Sequence, residues 1–447
     1  MTDDREIDVR AVINKSRFGG YQLWVATVCG IIAMLDGFDT QGIAYVAPVI
    51  AREWRMNIAA FGPIFGAGLF GLLLGAVIFG TLADRFGRKQ TILWSMLIFS
   101  VLSFATAYAT SFQSLLVLRF LTGLGLGGAT PTIIALTCEY TPDRLRSTVV
   151  NIMFCGFPFG STLGGFLSAW MIPAYGWQAV FYVGSVLPLI FAVIVLIWLP
   201  ESLSFMVERG TSAAKIGQIM GRIDPSGRYA ASMRYVLHEA KLTGFTAKHL
   251  FTEGRTFLTC ALWVAFFMNL LVMLFLVNWL PALLRESGKA LQLAIISTPI
   301  LNLGGVLGAA LLGFLSDRLG PYRVLGTAYV MSACFIAIAA YSGGNTVILL
   351  SAVFFAGIGV VGGQNGINSL AASSYPTTIR STAVGWAFGV GRIGAIAGPV
   401  IGGLLVGMGW KTQSIILVSA LPTLVAAIAV YSLGTNRTSR VELSSAR

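Results

Sequence analysis

Long apolar segments separated by short polar ones dominate the pattern of this 447-residue chain. A run of about 20 apolar residues is long enough to cross a bilayer as an α-helix. Two sets of six such runs are found, and a polar stretch near 200–254 separates them. The first set is predicted at 22–47, 60–81, 91–109, 113–138, 148–171 and 178–199, and the second at 256–283, 293–315, 323–341, 346–371, 381–407 and 412–434.

These runs predict an all-α membrane protein with twelve transmembrane helices in two six-helix halves. The predicted divisions are an N-terminal tail (1–20), a first bundle (21–199), a linker (200–254), a second bundle (255–435) and a C-terminal tail (436–447). The linker is long enough for two or three short helices.

Basic residues are distributed unequally between the two sides of the predicted spans. Of the 30 Lys and Arg residues, 23 lie on the side of the chain ends, five on the opposite side and two within spans. Because loops rich in Lys and Arg stay in the cytoplasm, both termini are predicted to be cytoplasmic. Topology therefore accounts for the net charge of +12, and no nucleic-acid partner is predicted.

The composition narrows the class of protein further. Charged residues make up 11% of the chain and hydrophobic residues 56%, whereas soluble domains carry about 25% charged residues. The five cysteines lie in apolar segments without CxxC spacing and are interpreted as small buried side chains. Neither histidine suggests a metal site, and no nucleophile, base or metal cluster indicates an enzyme. We expect no metal, no cofactor and a multi-pass location in the bacterial inner membrane.

Three motifs recur at one spacing. The stretch GTLADRFG at 80–87 resembles GFLSDRLG at 313–320, which is 233 residues later. The tripeptide RST occurs at 146–148 and again at 380–382, 234 residues later. Gly123, Gly125 and Gly128 recur as Gly357, Gly359 and Gly362. The two halves are therefore predicted to be parallel repeats, a type of fold that places the substrate near the bilayer midplane between the repeats.

Asp36 and Asp39 lie inside the first predicted span. A carboxylate there costs about 2.5–3.5 kcal/mol on insertion scales, so it predicts a function. Residues three apart share one helix face, which we expect to look into a polar path through the membrane.

The chain resembles the major facilitator superfamily over essentially its whole length. The loop GTLADRFGRK between spans 2 and 3, Arg119 in RFLTGLGLGG and the sequence LPES at 199–202 are similar to that superfamily's motifs. More narrowly, Asp36-Gly37-Phe38-Asp39 resembles the span-1 signature of the aromatic acid/proton symporters, as do the runs CEYTPDRLRS and MIPAYGW. The resemblance implies proton-coupled import of a small aromatic carboxylate of the hydroxybenzoate and benzoate class by alternating access.

Two departures bear on the alternatives. The second-half loop reads DRLGPYR and lacks the basic pair expected in sugar porters. The run GPVIGG at 398–403 resembles a drug-antiporter motif but lies in span 11 rather than span 5. A sugar or drug porter remains the alternative function, and a channel or receptor is a more distant one. Protons, membrane lipid and the aromatic acid are the predicted partners of a monomer.

Depth along the helices relates Arg119 to the two aspartates. At about 1.5 Å per residue, all three side chains fall in the outer half of the membrane at comparable levels. We predict that Arg119 pairs with Asp36 or Asp39, that the pair opens when a proton arrives, and that Arg119 also borders the substrate. The alternative is that Arg119 extends to the outer headgroups and only anchors its helix.

Arg392 lies near the midplane of span 11, and the spans of the second half contain no acidic residue. Its planar guanidinium is suited to bind a substrate carboxylate, although an inter-half ion pair with an aspartate of span 1 is the alternative. A substrate ring also needs apolar walls and a few polar groups. The further candidates for this pocket are Phe38, Tyr45, Asn302, Gln364 and Asn365.

Charged residues cluster where the predicted spans end on the basic side. We predict a cytoplasmic gate here, in which acids face helix N-termini and arginines; the alternative is that the basic residues only fix topology. The predicted gate residues are Asp84, Arg85, Arg88, Glu139, Arg144 and Arg146 in the first half, with Asp317, Arg318 and Arg380 as the counterpart.

Overall fold

A computed structural model describes residues 6–227, 229, 233–236, 250–252, 255–375 and 379–445. The side chains of residues 380, 381 and 436–445 lie outside this description. Within it, twelve helices are long and apolar enough to cross a membrane, which confirms the predicted number. In chain order, spans 1 to 12 are Gly20–Glu53, Ile58–Phe86, Arg88–Thr106, Phe112–Tyr140, Arg146–Tyr175, Gln178–Trp198, Thr256–Glu286, Leu291–Leu319, Pro321–Ala340, Thr346–Ser374, Thr382–Gly407 and Thr412–Thr435.

Several spans depart from a single uninterrupted helix. Span 2 begins with a 3₁₀ turn at Ile58–Ala60, and span 5 consists of helices Arg146–Phe154 and Gly156–Tyr175. The helix of span 11 starts at Arg380, and span 12 consists of Thr412–Val418 and Ala420–Ser445.

Short elements lie outside the spans. The helix Val9–Lys15 precedes span 1, and the helices Leu203–Glu208 and Ala213–Ile223 lie in the predicted linker. Strand β1, Glu6–Asp8, pairs in parallel with strand β2, Arg234–Val236. This small sheet is the one departure from an all-helical chain within the described residues.

The Cα positions divide the chain into two compact units. The first comprises Met1–Thr40, Phe70–Ser161 and Gln178–Thr243, and the second comprises Gln41–Leu69, Thr162–Trp177 and Gly244–Arg447. Each unit has its own apolar core. The first core runs from Phe99 in span 3 to Met220 in the linker helix, and the second contains Phe266 and Tyr329.

The same helix contacts recur in both halves. A β-carbon at Gly71 of span 2 would lie 2.1 Å from the carbonyl oxygen of Phe120 in span 4. At Gly304 of span 8 it would lie 2.0 Å from the carbonyl oxygen of Phe354 in span 10. These positions are 233 and 234 residues apart (304 minus 71 and 354 minus 120), so the sequence repeat is also a repeat of backbone packing.

Spans 1 and 5 meet as spans 7 and 11 do. A β-carbon at Gly160 would lie 1.8 Å from the carbonyl oxygen of Met34, and one at Gly394 would lie 2.2 Å from that of Phe267. The offset is 234 for the glycines and 233 for the carbonyls (394 minus 160 and 267 minus 34). This contact extends the correspondence to spans 1 and 7, for which the sequence motifs supplied no match.

Helix starts also recur at this spacing. Ser111 forms a capping box at the start of span 4, and Asn345 accepts hydrogen bonds from two backbone amides at the start of span 10. Gly87 precedes span 3 with φ at 99°, and Gly320 precedes span 9 with φ at 88°. A side chain is strained at such angles, so both turns require glycine.

Candidate functional site

The two aspartates of span 1 are positioned by a close contact with span 5. Gly37 lies between them, and a β-carbon there would lie 2.1 Å from the carbonyl oxygen of Phe157. Because only glycine fits, this contact fixes the rotation of span 1. It turns both acids into the first unit, where Asp36 is 1% exposed and Asp39 is 2% exposed.

Asp39 is enclosed by groups from three other helices. The Ser103 hydroxyl of span 3 donates a hydrogen bond to Asp39 Oδ1. Arg119 Nη1 of span 4 lies 3.6 Å from Asp39 Oδ2, which accepts no hydrogen bond within the described part of the chain. On span 6, a β-carbon at Gly184 would lie 3.2 Å from Oδ1. The contact between Asp39 and Arg119 is therefore an ion pair, and the hydrogen bond to the carboxylate comes from Ser103.

Arg119 is held by contacts that do not involve Asp39. Its Nη2 donates to the Thr106 hydroxyl at 2.8 Å and to the Thr122 hydroxyl at 3.2 Å. Both threonines donate their own hydroxyl hydrogen to a backbone carbonyl, which leaves lone pairs for the guanidinium. The guanidinium carbon also lies 4.9 Å from the centre of the Phe181 ring, within the range of a cation–π contact. With 4% of its side chain exposed, Arg119 does not extend to the bundle surface.

Asp36 lies among hydroxyl groups. The Thr40 hydroxyl, one turn along the same helix, donates to Asp36 Oδ1 at 3.0 Å. The Thr130 hydroxyl of span 4 donates to Asp36 Oδ2 at 2.7 Å. These bonds stabilise a carboxylate in an apolar span.

The arrangement around Asp39 can tolerate a change of charge. An opposite charge favours the ionised carboxyl and burial favours the neutral one, so the two influences on Asp39 oppose each other. If Asp39 takes up a proton, Arg119 keeps its two threonine acceptors and the Phe181 ring. A proton can then be gained or lost without a guanidinium being left wholly without partners.

The other predicted pocket residues are divided between the two units. Phe38 is buried beside Gly184 in the first unit, where a β-carbon on that glycine would lie 3.4 Å from the Phe38 ring. In the second unit, Tyr45, Asn302 and Gln364 are buried, Asn365 is exposed and Arg392 is half-buried. The first unit therefore brings Asp36, Phe38, Asp39 and Arg119 together, and the remaining candidates belong to the second unit.

Arg88 joins the ends of spans 2, 3 and 4 in the predicted gate. Its Nε lies 3.2 Å from Glu139 Oε1, and its Nη2 lies 3.5 Å from Asp84 Oδ1. The Glu139 side chain is 15% exposed, whereas that of Asp84 is 73% exposed. Because water screens exposed ion pairs, the contact with Glu139 is the stronger of the two.

The acid at a helix N-terminus in this network is Glu201. Its Oε1 accepts hydrogen bonds from the backbone amides of Arg88 at 2.7 Å and Lys89 at 3.0 Å, at the start of span 3. A β-carbon at Gly87 would lie 2.4 Å from Glu201 Oε2. The glycine of the loop motif therefore makes room for a carboxylate that interacts favourably with the helix dipole.

Asp143 connects the turn between spans 4 and 5 to the N-terminal helix. Arg146 Nη2 lies 2.5 Å from Asp143 Oδ1, and Arg10 pairs with the same oxygen. Asn14 donates to Asp143 Oδ2 at 2.6 Å, and Arg144 donates to the Asn14 carbonyl at 2.7 Å. Arg144 and Arg146 are thus tied to this turn and to the N-terminal helix.

A cavity of about 430 Å³ lies among these groups. The charged residues that line it are Arg10, Asp84, Arg88, Glu139, Arg146 and Glu208. It connects the Arg88 contacts with the Asp143 contacts in one polar space.

The remaining gate residues make simpler contacts. Arg85 lies over the Phe86 ring at 5.3 Å and Arg318 over the Phe314 ring at 4.2 Å. Asp317 is exposed. The side chain of Arg380 lies outside the described residues, so its predicted role in the gate has no structural description.

Sequence reasoning missed the neutral residues that hold the charges. Ser103, Thr106, Thr122 and Thr130 are hydroxyl residues inside apolar spans. Their depth could have been compared with that of the aspartates, as was done for Arg119. Within the described residues, no group of three or more His, Cys, Asp or Glu side chains could hold a metal ion.

Comparison with known proteins places the chain in a family. A profile of the Major Facilitator Superfamily matches residues 29–311 and 294–447. The chain is 40% identical over 431 residues to the 4-hydroxybenzoate transporter PcaK of Pseudomonas putida, with 96% of each protein covered. It is 39% identical over 435 residues to a gallate transporter of Pseudomonas putida, again with 96% of each covered.

A solved D-xylose-proton symporter has the same fold, with a TM-score of 0.72 at 16% identity over 92% of this chain and 98% of that one. Since the relatives are transporters, the prediction that the chain is not an enzyme is confirmed. The chain therefore belongs to the major facilitator superfamily, and it is similar over nearly its whole length to aromatic-acid transporters of that superfamily.

Proposed function

We propose that this protein imports a small aromatic carboxylate of the hydroxybenzoate class together with protons, by alternating access, across the bacterial inner membrane. The buried pair of Asp39 and Arg119 is the observation that carries the proposal. A carboxylate and a guanidinium 3.6 Å apart inside an apolar bundle are costly to keep unless their charges are used. The similarity to the 4-hydroxybenzoate and gallate transporters supports the substrate class.

In this proposal Asp39 carries the proton. Protonation removes the attraction to Arg119, and span 1 is then held to span 4 by fewer contacts. Because Thr106, Thr122 and Phe181 retain the guanidinium, Asp39 is the group whose contacts change. Asp36 has two hydroxyl donors and is the second acid available for coupling.

Arg392 is proposed to bind the substrate carboxylate. It is half-buried in span 11, and a guanidinium forms two parallel hydrogen bonds with a carboxylate. The candidates that would border the ring and its substituents are Phe38, Tyr45, Arg119, Asn302, Gln364 and Asn365.

The network around Arg88 is proposed to be the cytoplasmic gate, with both chain termini on the cytoplasmic side. Arg88, Glu139 and Glu201 tie the ends of spans 3 and 4 to the segment after span 6. Opening this side for substrate release requires some of these contacts to break. The gate then competes energetically with the Asp39–Arg119 pair, which gives the two ends of the transport path opposite preferences.

Charge balance explains why protons are needed. A benzoate-like anion moving inward against a negative-inside potential meets about 2.3 kcal/mol per 100 mV. One accompanying proton makes the step electroneutral, and a second allows the potential to drive uptake. We propose that the protein acts as a monomer with no cofactor.

The test is uptake of radiolabelled 4-hydroxybenzoate and benzoate into proteoliposomes, with and without an inward proton gradient. We expect accumulation of the acid above its external concentration only when the gradient is present. Labelled xylose serves as the control for a sugar porter. Transport of xylose but of neither acid, by folded protein, would contradict the proposal.

A further inference from the structure

A chain of three amides lies in the second unit between spans 7 and 10. Asn269 Nδ2 donates to Gln364 Oε1 at 2.8 Å, and Gln364 Nε2 donates to Asn368 Oδ1 at 2.9 Å. Asn269 has no exposed surface, and its Oδ1 accepts no hydrogen bond from the described part of the chain. A buried acceptor without a donor is costly, so this oxygen is a candidate contact for a ligand.

The amides occupy the place that Asp36 and Thr130 occupy in the first half. Spans 1 and 7 correspond at an offset of 233, and spans 4 and 10 at an offset of 234. Asp36 therefore corresponds to Asn269 (36 plus 233), and Thr130 corresponds to Gln364 (130 plus 234). In each half these two residues are joined by a hydrogen bond. The polar position is thus repeated, with an acid in one half and a neutral amide in the other.

Asn269 also lies at the level of Arg392. A β-carbon at Gly391 would lie 2.6 Å from Leu270 Cδ1. Gly391 is the neighbour of Arg392 in span 11, and Leu270 is the neighbour of Asn269 in span 7. The predicted carboxylate-binding residue and the buried amide are therefore at one depth in the second unit.

We propose that Asn269, oriented by Gln364, binds the ring hydroxyl of a hydroxybenzoate whose carboxylate is bound by Arg392. This inference rests on the proposed function and names the substituent that the site selects. A phenol hydroxyl donates one hydrogen bond and accepts others, and a carboxamide offers one acceptor and one donor group. The neutral amide does so without a charge that would need compensation in an apolar bundle.

The test measures binding of 4-hydroxybenzoate and benzoate to the purified full-length protein by isothermal titration calorimetry. The variant is Asn269→Leu, which keeps the side-chain volume and removes the amide. Its matched control is Asn278→Leu, because Asn278 is also buried on span 7 but donates to the carbonyl of Leu274 in its own helix. We expect the wild type to bind 4-hydroxybenzoate about tenfold more tightly than benzoate, the effect of one hydrogen bond to a buried partner.

Asn269→Leu is expected to abolish that preference while changing benzoate affinity less than about twofold, and Asn278→Leu is expected to keep the preference. Equal wild-type affinity for the two acids, or an equal loss of both in Asn269→Leu, would overturn the inference and leave the proposed function standing. Binding of neither acid by the wild type would overturn both. Should Asn269→Leu fail to fold, Gln364→Met gives the same reading through loss of the group that orients Asn269.

Discussion

Neutralising one member of the Asp39–Arg119 pair should cost more stability than neutralising both. At 3.6 Å and an effective dielectric constant near 20, the attraction between the two charges is about 4.6 kcal/mol. Removing one partner of a buried pair costs about 3–5 kcal/mol because the other charge is left behind. Asp39→Asn and Arg119→Gln are each expected to lose about this much, and the double variant should be no less stable than either single one.

A double-mutant cycle measures this coupling. The free energy of unfolding is determined for the wild type, both single variants and the double variant by titration with a denaturing detergent, followed by circular dichroism. The control cycle uses Glu6→Gln and Arg234→Gln, whose atoms are closer, at 3.1 Å, but whose side chains are 50% and 74% exposed. We expect a coupling of about 3–5 kcal/mol for the buried pair and less than about 1 kcal/mol for the exposed one.

Additivity would refute the reasoning. If the two single effects sum to the double effect within about 0.5 kcal/mol, the two charges do not stabilise each other. Equal coupling in the buried and exposed cycles would show that burial does not strengthen the pair.

Three further predictions concern packing, the gate and the substrate. Gly37→Ala should abolish uptake and destabilise the protein, since its β-carbon would lie 2.1 Å from a carbonyl oxygen of span 5; thermal unfolding checks this, with Gly221→Ala, in open space, as the control. Glu139→Gln should slow initial uptake more than Asp84→Asn, because Glu139 is the less exposed partner of the same arginine. Arg392→Lys should raise the KM for 4-hydroxybenzoate about tenfold or more by losing the guanidinium fork, with an unchanged melting temperature.

Hydropathy alone located the spans because each must hide its backbone from lipid as a helix. The short strands β1 and β2 carry no comparable signal, because three residues are too few for a period. Their pairing depends on where the linker folds, as does the contact of Glu201 with the start of span 3. Such contacts bring together residues that are far apart in sequence.

For the site, residue depth predicted that Arg119 meets an aspartate but did not distinguish Asp36 from Asp39. The choice depends on the rotation of span 1, which the contact between Gly37 and Phe157 fixes. Asn269 was missed although the repeat contained the necessary information, because the correspondence of spans 1 and 7 became visible only in the packing of Gly160 and Gly394.

The most direct test of the account is whether substrate brings protons with it through Asp39. Proteoliposomes containing a pH-sensitive dye are given external 4-hydroxybenzoate without an imposed gradient, and protein-free vesicles correct for passive entry of the protonated acid. We predict that the wild type acidifies the lumen above this background. Asp39→Asn should exchange labelled for unlabelled substrate without acidification. Substrate entry through the wild type without a pH change, or full gradient-driven accumulation by Asp39→Asn, would contradict the account.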